Sequence, residues 1–318
     1  MEKMEKIVFL DRSTLEAEVR RPVFSHAWVE YPVTAPGEIV ERLRDATIAI
    51  TNKAPLRAEA LARLPSLKLI AEAATGVNNI DVDWCREHSI AVCNIRDYAV
   101  HSVAEHVFMM ILALRRNLVA YRQDLQQGLW QRSSRFCLFT HPIRDIHGST
   151  LGIVGHGALG QAVAQVARGF GMTVWFAEHQ GAARIRPGFE PFERVLRESD
   201  VLTVHVPLTD ATRDLIDAAE LRLMKPDALL INTARGGVVN ETALAAALEQ
   251  NVIGGAGFDV LSVEPPTGGN PLLTLSQSNF LLTPHIAWAS REAMQTLADQ
   301  LIANIEAFVR GAPQNLVG

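Results

Sequence analysis

Hydrophobic and polar positions along the chain follow two alternating rhythms: short apolar, β-branched runs, and longer stretches with helical spacing. In the first hundred residues the runs are "IVFL" (7–10), "TIAIT" (47–51), "LKLIAEA" (67–73) and "IAVCNI" (90–95), with amphipathic segments at 37–45 and 56–64 between some of them. From residue 151 the rhythm restarts with "LGIVG" (151–155), "MTVWFA" (172–177), "VLTVHV" (201–206), "ALLINT" (228–233), "GAGFDV" (255–260) and "FLLTPHI" (280–286). Helical stretches separate these runs, and "NETALAAAL" opens on Asn240 as a predicted N-cap. Strands alternating with helices predict an α/β fold whose parallel sheets are covered on both faces. Six runs after residue 150 match the strand number of a full dinucleotide-binding sheet.

Residues 101–120 read as one long helix, with Val103, Val107, Met110, Ile111, Leu114 and Leu118 at helical spacing. Its other side carries Phe108, Met109 and Leu112, so the pattern predicts a helix buried all round, within its own chain or against another subunit. The segment 291–312 reads as a single amphipathic helix, and "EPPTGGNP" (264–271) as a loop.

Composition narrows the classes. The chain has 318 residues, 48% hydrophobic and 20% charged, enough for a sizeable core and more than one domain. A net charge of −5 gives no electrostatic reason to expect nucleic acid or an anionic membrane as partner. Cys85, Cys93 and Cys137 are odd in number and in no metal-ligand spacing, which suits a reducing compartment and predicts no metal site. The opening "MEKMEKIVFL" has no apolar core of a signal peptide, and no run reaches the length of a spanning helix, so a cytoplasmic protein is expected.

The chemistry starts at "LGIVGHGALGQAV", where Gly155, Gly157 and Gly160 stand in G-x-G-x-x-G spacing after a β-branched run and at the opening of a helical one. The first glycine permits a tight turn, the second lets backbone approach a pyrophosphate, and the third lets helix and strand pack closely. Ala158 and Leu159 complete this predicted cradle. Eighteen residues after Gly160, Glu178 stands just past the second run; a carboxylate there accepts hydrogen bonds from an adenosine ribose and repels a 2′-phosphate, which favours NAD(H). Arg184 and Arg186 downstream are able to serve a 2′-phosphate if their loop folds back, which leaves NADP(H) possible. Three further stretches, "INTARGG" (231–237), "DVLSVEPP" (259–266) and "LTPHIAWAS" (282–290), stand at the carboxyl ends of the fourth, fifth and sixth runs, where open α/β sheets bind ligands. They bring Arg235, Glu264 and His285 towards one crevice.

Together with the glycine loop, these motifs resemble the D-isomer-specific 2-hydroxyacid dehydrogenases over essentially the whole chain. "FSHAWVEY" (24–31), "TNKAPL" (51–56), "AATGVNNIDVDWC" (73–85), "NIRDYAVHSVAEHVF" (94–108) and "PHIAWAS" (284–290) are most similar to the glycerate dehydrogenase and hydroxypyruvate reductase branch. The resemblance implies two doubly wound parallel-sheet domains. A Rossmann NAD-binding domain, 99–287, is inserted into a flavodoxin-like substrate domain made of 1–98 and 288–318, with the active site in the cleft between them. It also implies hydride transfer between NAD(H) and a small D-2-hydroxy or 2-oxo acid, D-glycerate with hydroxypyruvate or glyoxylate first, and a homodimer formed through the 101–120 region.

In that scheme His285 is the acid in reduction and the base in oxidation, since histidine changes charge near neutral pH. Glu264 favours the imidazolium and orients its ring. Arg235 offers a planar fork to the substrate carboxylate and the reacting carbonyl. The resemblance assigns the backbone of Thr75, Gly76 and Val77 to the substrate carboxylate. The expected cofactor contacts are completed by His205, Val206 and Pro207 after the third run, Thr233 and Ala234 beside Arg235, Asp259 after the fifth run, and His285. Asn52 and Lys53 follow a run and read equally as cleft-lining residues or a surface turn; Trp288 reads as a pocket wall or a packing residue. His156 is assigned no chemistry, and His101 and His106 read as satisfied helix histidines. A formate dehydrogenase would carry glutamine in place of Glu264. Phosphite oxidation, a broad NADPH-using 2-oxo acid reductase and a catalytically weak NAD-sensing protein are the remaining alternatives.

Overall fold

The apolar runs are strands, and every strand pairing is parallel. The computed structural model describes residues 4–317, which divide into two units: one comprises residues up to Ala99 together with those from Ala289 onward, the other Val100–Trp288.

In the first unit the strands are β1 (Glu5–Phe9), β2 (His26–Glu30), β3 (Ile48–Thr51), β4 (Leu69–Glu72) and β5 (Ala91–Cys93), in the order β2-β1-β3-β4-β5. This is the flavodoxin-like winding, with its switch point between β1 and β3. The inner strands β3 and β4 are buried at every position, as expected for a sheet with helices on both faces. Short helices α1 (Ile39–Leu43), α2 (Ala58–Leu61) and α3 (Val82–Glu87) connect them. β2 was not visible as an apolar run: it lies at the edge, its first four residues are only half-buried and Glu30 is exposed, and His26 and Glu30 bracket its three apolar positions. The final helix α10 (Arg291–Val309) packs against β4 and is N-capped by the Ser290 side chain, which accepts from Ala293 N at 3.1 Å.

The second unit contains β6 (Thr150–Val154), β7 (Thr173–Ala177), β8 (Phe189–Glu190), β9 (Val201–Val204), β10 (Leu229–Asn232), β11 (Gly255–Phe258) and β12 (Phe280–Leu282). Their order, β8-β7-β6-β9-β10-β11-β12, is the dinucleotide-binding order extended by one strand, and it reverses between β6 and β9. The strand the sequence pattern lacks is β8, a two-residue edge strand directly after Pro187 and Gly188 that is too short to show a period.

The predicted helix over 101–120 is two helices, α4 (Val100–Arg115) and α5 (Leu118–Gln126). Asn117 adopts a left-handed conformation (φ 49°), tolerated by asparagine, and its side chain donates to Pro142 O at 2.5 Å. One face of α4, with Val103, Val107, Met110 and Ile111, is buried, and the helix packs against β10, β11 and α6 (Ala158–Gly169). Within the single chain Met109 is exposed, whereas Phe108 is buried and stacks on Phe170. Helices α7 (Phe192–Glu198), α8 (Ala218–Leu223) and α9 (Glu241–Glu249) complete the unit. No described helix is long and apolar enough to cross a membrane.

The Asn240 side chain caps α9 as the sequence predicts, accepting from Ala243 N at 3.0 Å. Replacing it with alanine is expected to lower unfolding stability by about 1 kcal/mol, read as a shift of the urea midpoint at unchanged m-value.

Candidate active site

The glycine loop sits where the strand order of the second unit reverses. Gly155 directly follows β6 with φ +110°, and a Cβ there would lie 2.3 Å from His205 O, so only glycine lets the exits of β6 and β9 approach this closely. A Cβ on Gly160 would lie 2.2 Å from Gly155 O, which fixes how tightly α6 packs on the loop. Gly157 differs: it is the N-cap of α6 with no side-chain cap, and a Cβ there would meet nothing within 4 Å. Among the described residues the amides of Ala158, Leu159 and Gly160 donate to no protein acceptor. Open space faced by unpaired amides at the start of a helix fits a pyrophosphate.

Two buried polar atoms nearby also lack a protein partner. His205 Nδ1 and Thr233 Oγ1 stand just past β9 and β10, whose register pairs Val204 with Asn232. Burial lowers the His205 pKa to about 4, so its ring is neutral, and its Nε2 lies 3.0 Å from Thr203 Oγ1. Val206 packs its Cγ1 towards Gly155, and Pro207 is exposed with its carbonyl accepting from Thr212 Oγ1. The glycine loop and these unsatisfied groups together fit a dinucleotide.

Glu178 follows β7, next to the end of β6, because Ala177 pairs with Val154. Its side chain is 2% exposed, and both oxygens are engaged. Oε1 accepts from His179 N (2.9 Å) and Arg186 Nη2 (2.6 Å); Oε2 accepts from Arg186 N (3.1 Å) and Nε (2.7 Å). The Arg186 guanidinium beside it, with the two amides, holds the carboxyl down at about 2. Arg186 also lies over the Phe189 ring at 4.0 Å, and the glycine-loop His156 packs against Phe189 and Phe176. The downstream loop therefore does fold back, with Arg186 on the acid and Arg184 exposed.

The other three motifs leave the sheet on adjacent parallel strands, so Arg235, Glu264 and His285 follow one edge. Asn232, fully buried, shapes the turn that carries Arg235: its Oδ1 accepts from Ala234 N and its Nδ2 donates to Arg235 O, both at 3.0 Å. Arg235 Nη1 donates to Ala234 O at 2.7 Å. Next to it, a Cβ on Gly236 would lie 1.9 Å from Leu261 C and 2.2 Å from Ser262 N. The Arg235 turn thus lies directly on the segment that carries Glu264. Glu264 Oε1 accepts from Leu261 N (2.8 Å), and Oε2 lies 2.5 Å from His285 Nδ1. A carboxylate only accepts, so His285 carries hydrogen on Nδ1, and Nε2 is the ring atom left for proton exchange.

His285 has a left-handed backbone, φ 57°, and donates its amide to Asp259 O at 2.8 Å. The Asp259 side chain, 1% exposed, accepts from Thr283 Oγ1 (2.5 Å), Ile286 N (2.9 Å) and Ala287 N (2.7 Å). Trp288 Nε1 donates to His285 O at 3.0 Å, giving this tryptophan a direct hold on the loop. The sequence reading missed Asn232, Thr283 and the stapling by Asp259; an Asn or Asp at the end of a buried strand was the available signal.

In the first unit Thr75, Gly76 and Val77 form the turn after β4. Thr75 Oγ1 donates to Ile95 O and Asn94 Nδ2 donates to Thr75 O, both at 2.8 Å, while the amides of 75–77 donate to no protein acceptor among the described residues. Asn52 and Lys53 prove to be part of a staple: their amides and that of Ala54 donate to the Asp11 carboxylate at 2.6–3.0 Å. Among the described residues no cluster of His, Cys, Asp or Glu could hold a metal ion.

Residues 108–287 match the model of the D-isomer specific 2-hydroxyacid dehydrogenase NAD-binding domain. Over 98% of its length the chain is 51% identical to glycerate dehydrogenase of Methylorubrum extorquens, covering 99% of that protein. Among solved structures, an acyclic imino acid reductase in complex with NADPH and D-Arg aligns with a TM-score of 0.84 at 29% identity, covering 98% of this chain and 100% of that one. D-lactate dehydrogenase from Aquifex aeolicus, complexed with NAD and lactic acid, aligns at 0.80 and 27% identity, covering 98% of both chains. The chain belongs to the D-isomer-specific 2-hydroxyacid dehydrogenase family.

Proposed function

We propose that this protein interconverts a small 2-oxo acid and its D-2-hydroxy acid, hydroxypyruvate with D-glycerate first and glyoxylate second, using NAD(H). The observation that carries the reading is the Glu264–His285 pair, bonded at 2.5 Å on the same sheet edge as the glycine loop. The half-identical glycerate dehydrogenase supports the choice of substrate.

The bound nicotinamide supplies the hydride in reduction and takes it back in oxidation. His285 delivers a proton from Nε2 to the carbonyl oxygen, while Glu264 stabilises the charged ring before that step and keeps its orientation afterwards. Arg235 holds the carboxylate and polarises the carbonyl, and the free amides of Thr75, Gly76 and Val77 are the proposed carboxylate receivers of the first unit. Gly157, Ala158, Leu159 and Gly160 hold the pyrophosphate by their amides. His205, Val206, Pro207, Thr233, Ala234 and Asp259 line the neighbouring strand ends. The first unit, with its flavodoxin-like sheet, is assigned to substrate.

For the cofactor, an ionised Glu178 disfavours a 2′-phosphate and favours NAD(H). A second reading, use of NADP(H), is supported by Arg186, whose guanidinium already neutralises that carboxylate. We also propose a homodimer. Leu118, Trp130, Phe136, Phe139 and Ile143, on α5 and the segment after it, are large apolar residues at least half exposed, a patch suited to a second copy of this chain.

Steady-state rates with glyoxylate, hydroxypyruvate, pyruvate and phenylpyruvate and both cofactors should rank hydroxypyruvate first; no turnover with any of them would defeat the proposal. His285→Ala is expected to lower kcat by about two to four orders of magnitude with nucleotide affinity retained, measured by fluorescence titration. Gly236→Ala should displace the Arg235 turn from Leu261 and reduce kcat/KM by about a hundredfold, the scale of a 1 Å misplacement. Glu178→Ala should shift the NADH-to-NADPH affinity ratio towards NADPH by roughly tenfold or more, the worth of a charged hydrogen bond, and an unchanged ratio would remove Glu178 from ribose recognition.

A further inference from the structure

The loop that carries His285 is gripped from below by one face of α4. Ser102 and His106 are four residues apart and therefore share a side of the helix. Ser102 Oγ donates to Ala287 O at 2.7 Å, at the far end of the loop. At its near end, His106 Nε2 lies 2.9 Å from Thr283 Oγ1 and 3.7 Å from Asp259 Oδ1. Thr283 Oγ1 in turn lies 2.5 Å from Asp259 Oδ1.

The hydrogens in this chain are fixed by what each group is able to do. Asp259 as a carboxylate only accepts, so the Thr283 hydroxyl hydrogen is directed to Asp259. The Thr283 oxygen then accepts from His106, and His106 must carry its hydrogen on Nε2. Burial pushes the His106 pKa below its ordinary value, against the pull of Asp259, so at neutral pH the ring is neutral and has a single N–H to place. The sequence reading of His106 as a merely satisfied helix histidine understates this connection.

We propose that His106 and Thr283 are positioning residues for proton transfer at His285, acting through Asp259. The inference rests on reading His285 as the proton donor. The relay from His106 to Thr283 to Asp259 fixes the plane of a carboxylate whose remaining lone pairs take the amides of Ile286 and Ala287. The Asp259 carbonyl takes the amide of His285. These bonds hold His285 at φ 57°, from which its Nδ1 reaches Glu264. Neither positioning residue touches the reacting atoms. Removing their hydrogen bonds loosens the grip of Asp259 on the loop, so the imidazole samples orientations in which Nε2 is misaimed. That lowers the rate of the proton step while the nucleotide contacts of the glycine loop stay as they are.

The test uses the full-length protein with Thr283→Val, which keeps the side-chain volume and removes the hydroxyl, and Thr283→Ser, which restores it. His106→Leu and His106→Gln form the second pair, the glutamine amide replacing the Nε2 donor. Thr283→Val and His106→Leu are each expected to lower kcat by roughly tenfold, the worth of one buried hydrogen bond, with KM changed far less. The dissociation constant for NADH, from fluorescence titration, should stay close to the parent value, and the folded fraction under assay conditions should be unchanged even where the urea midpoint falls by the worth of the lost bond. Thr283→Ser and His106→Gln should recover kcat to within about threefold. The double variant Thr283→Val/His106→Leu should be no worse than Thr283→Val alone, because both changes cut one chain. In the nucleotide-free protein, the far-downfield proton resonance of the short His285–Glu264 bond should weaken or vanish in Thr283→Val and persist in Thr283→Ser. An unchanged kcat in Thr283→Val, or a fall that serine does not recover, overturns the inference. If His285→Ala itself leaves turnover intact, the reading of the proton donor fails; if it abolishes turnover while Thr283→Val does not lower kcat, only the positioning role fails.

Discussion

A carboxylate removed from water at the end of a buried strand must find hydrogen-bond donors or give up its charge, and the loops of both units are organised around that requirement. Asp11, after β1, takes the amides of residues 52–54 and so fixes the loop that leaves β3. Glu178, after β7, draws in the backbone of His179 and both backbone and guanidinium of Arg186. Asp259, after β11, collects three donors from the loop that follows β12. Each acid stands just past one strand and pins a segment further along the chain. Glu72 shows the alternative outcome. It is fully buried at the end of β4, with Asn79 donating to one oxygen and the other unpartnered, and burial raises its pKa well above the ordinary carboxyl value. Glu178, with four donors, falls to about 2. The same residue type at a strand end has its pKa raised or lowered according to the donors it receives.

The proposed catalysis and cofactor selection both draw on this arrangement. His285 needs a fixed ring more than an unusual environment, and its orientation comes from Glu264 on one side and from a backbone anchored by Asp259 on the other. The turn that carries Arg235 is set independently by the buried Asn232 and by the close contact of Gly236 with Leu261. In the proposed cofactor site, Glu178 and Arg186 are already paired with each other. On the proposed reading, ribose hydroxyls would have to compete with Arg186 for Glu178, and a 2′-phosphate would find an arginine already in place.

Much of the architecture was legible in the chain. Parallel strands buried on both faces write themselves as apolar runs, and the glycine spacing has meaning because each position answers a separate steric demand. The edge strands β2 and β8 escaped because an edge position relaxes the need for apolar residues and β8 is too short to repeat. The break at Asn117 escaped because an asparagine within a helical pattern carries no periodic signal; only its left-handed backbone marks it. Within the site, Arg235, Glu264 and His285 were visible as residue types suited to the chemistry. Their supports were not: Asn232, Thr283 and His106 act through hydrogen bonds that depend on which strand neighbours which, and adjacency is a property of the wound sheet. Arg186 lay between, since the sequence placed it near the acid without showing that the two would pair.

The segment Thr283-Pro284-His285 shows how local and distant constraints combine. Proline at 284 fixes its own φ and disfavours a helical conformation at Thr283, which keeps the strand direction to the last residue before the turn. That places the Thr283 hydroxyl beside Asp259, just past the neighbouring strand. The next residue then enters the left-handed region, an uncommon state for a side chain without an Asn or Asp group, and persists there because Asp259 accepts bonds on both sides of the turn. Strain at His285 is therefore opposed by hydrogen bonds to a buried acid whose own orientation is set from α4. A histidine held this way cannot relax into an ordinary loop conformation without breaking several charge-assisted bonds at once, and its reach to Glu264 follows from that restriction.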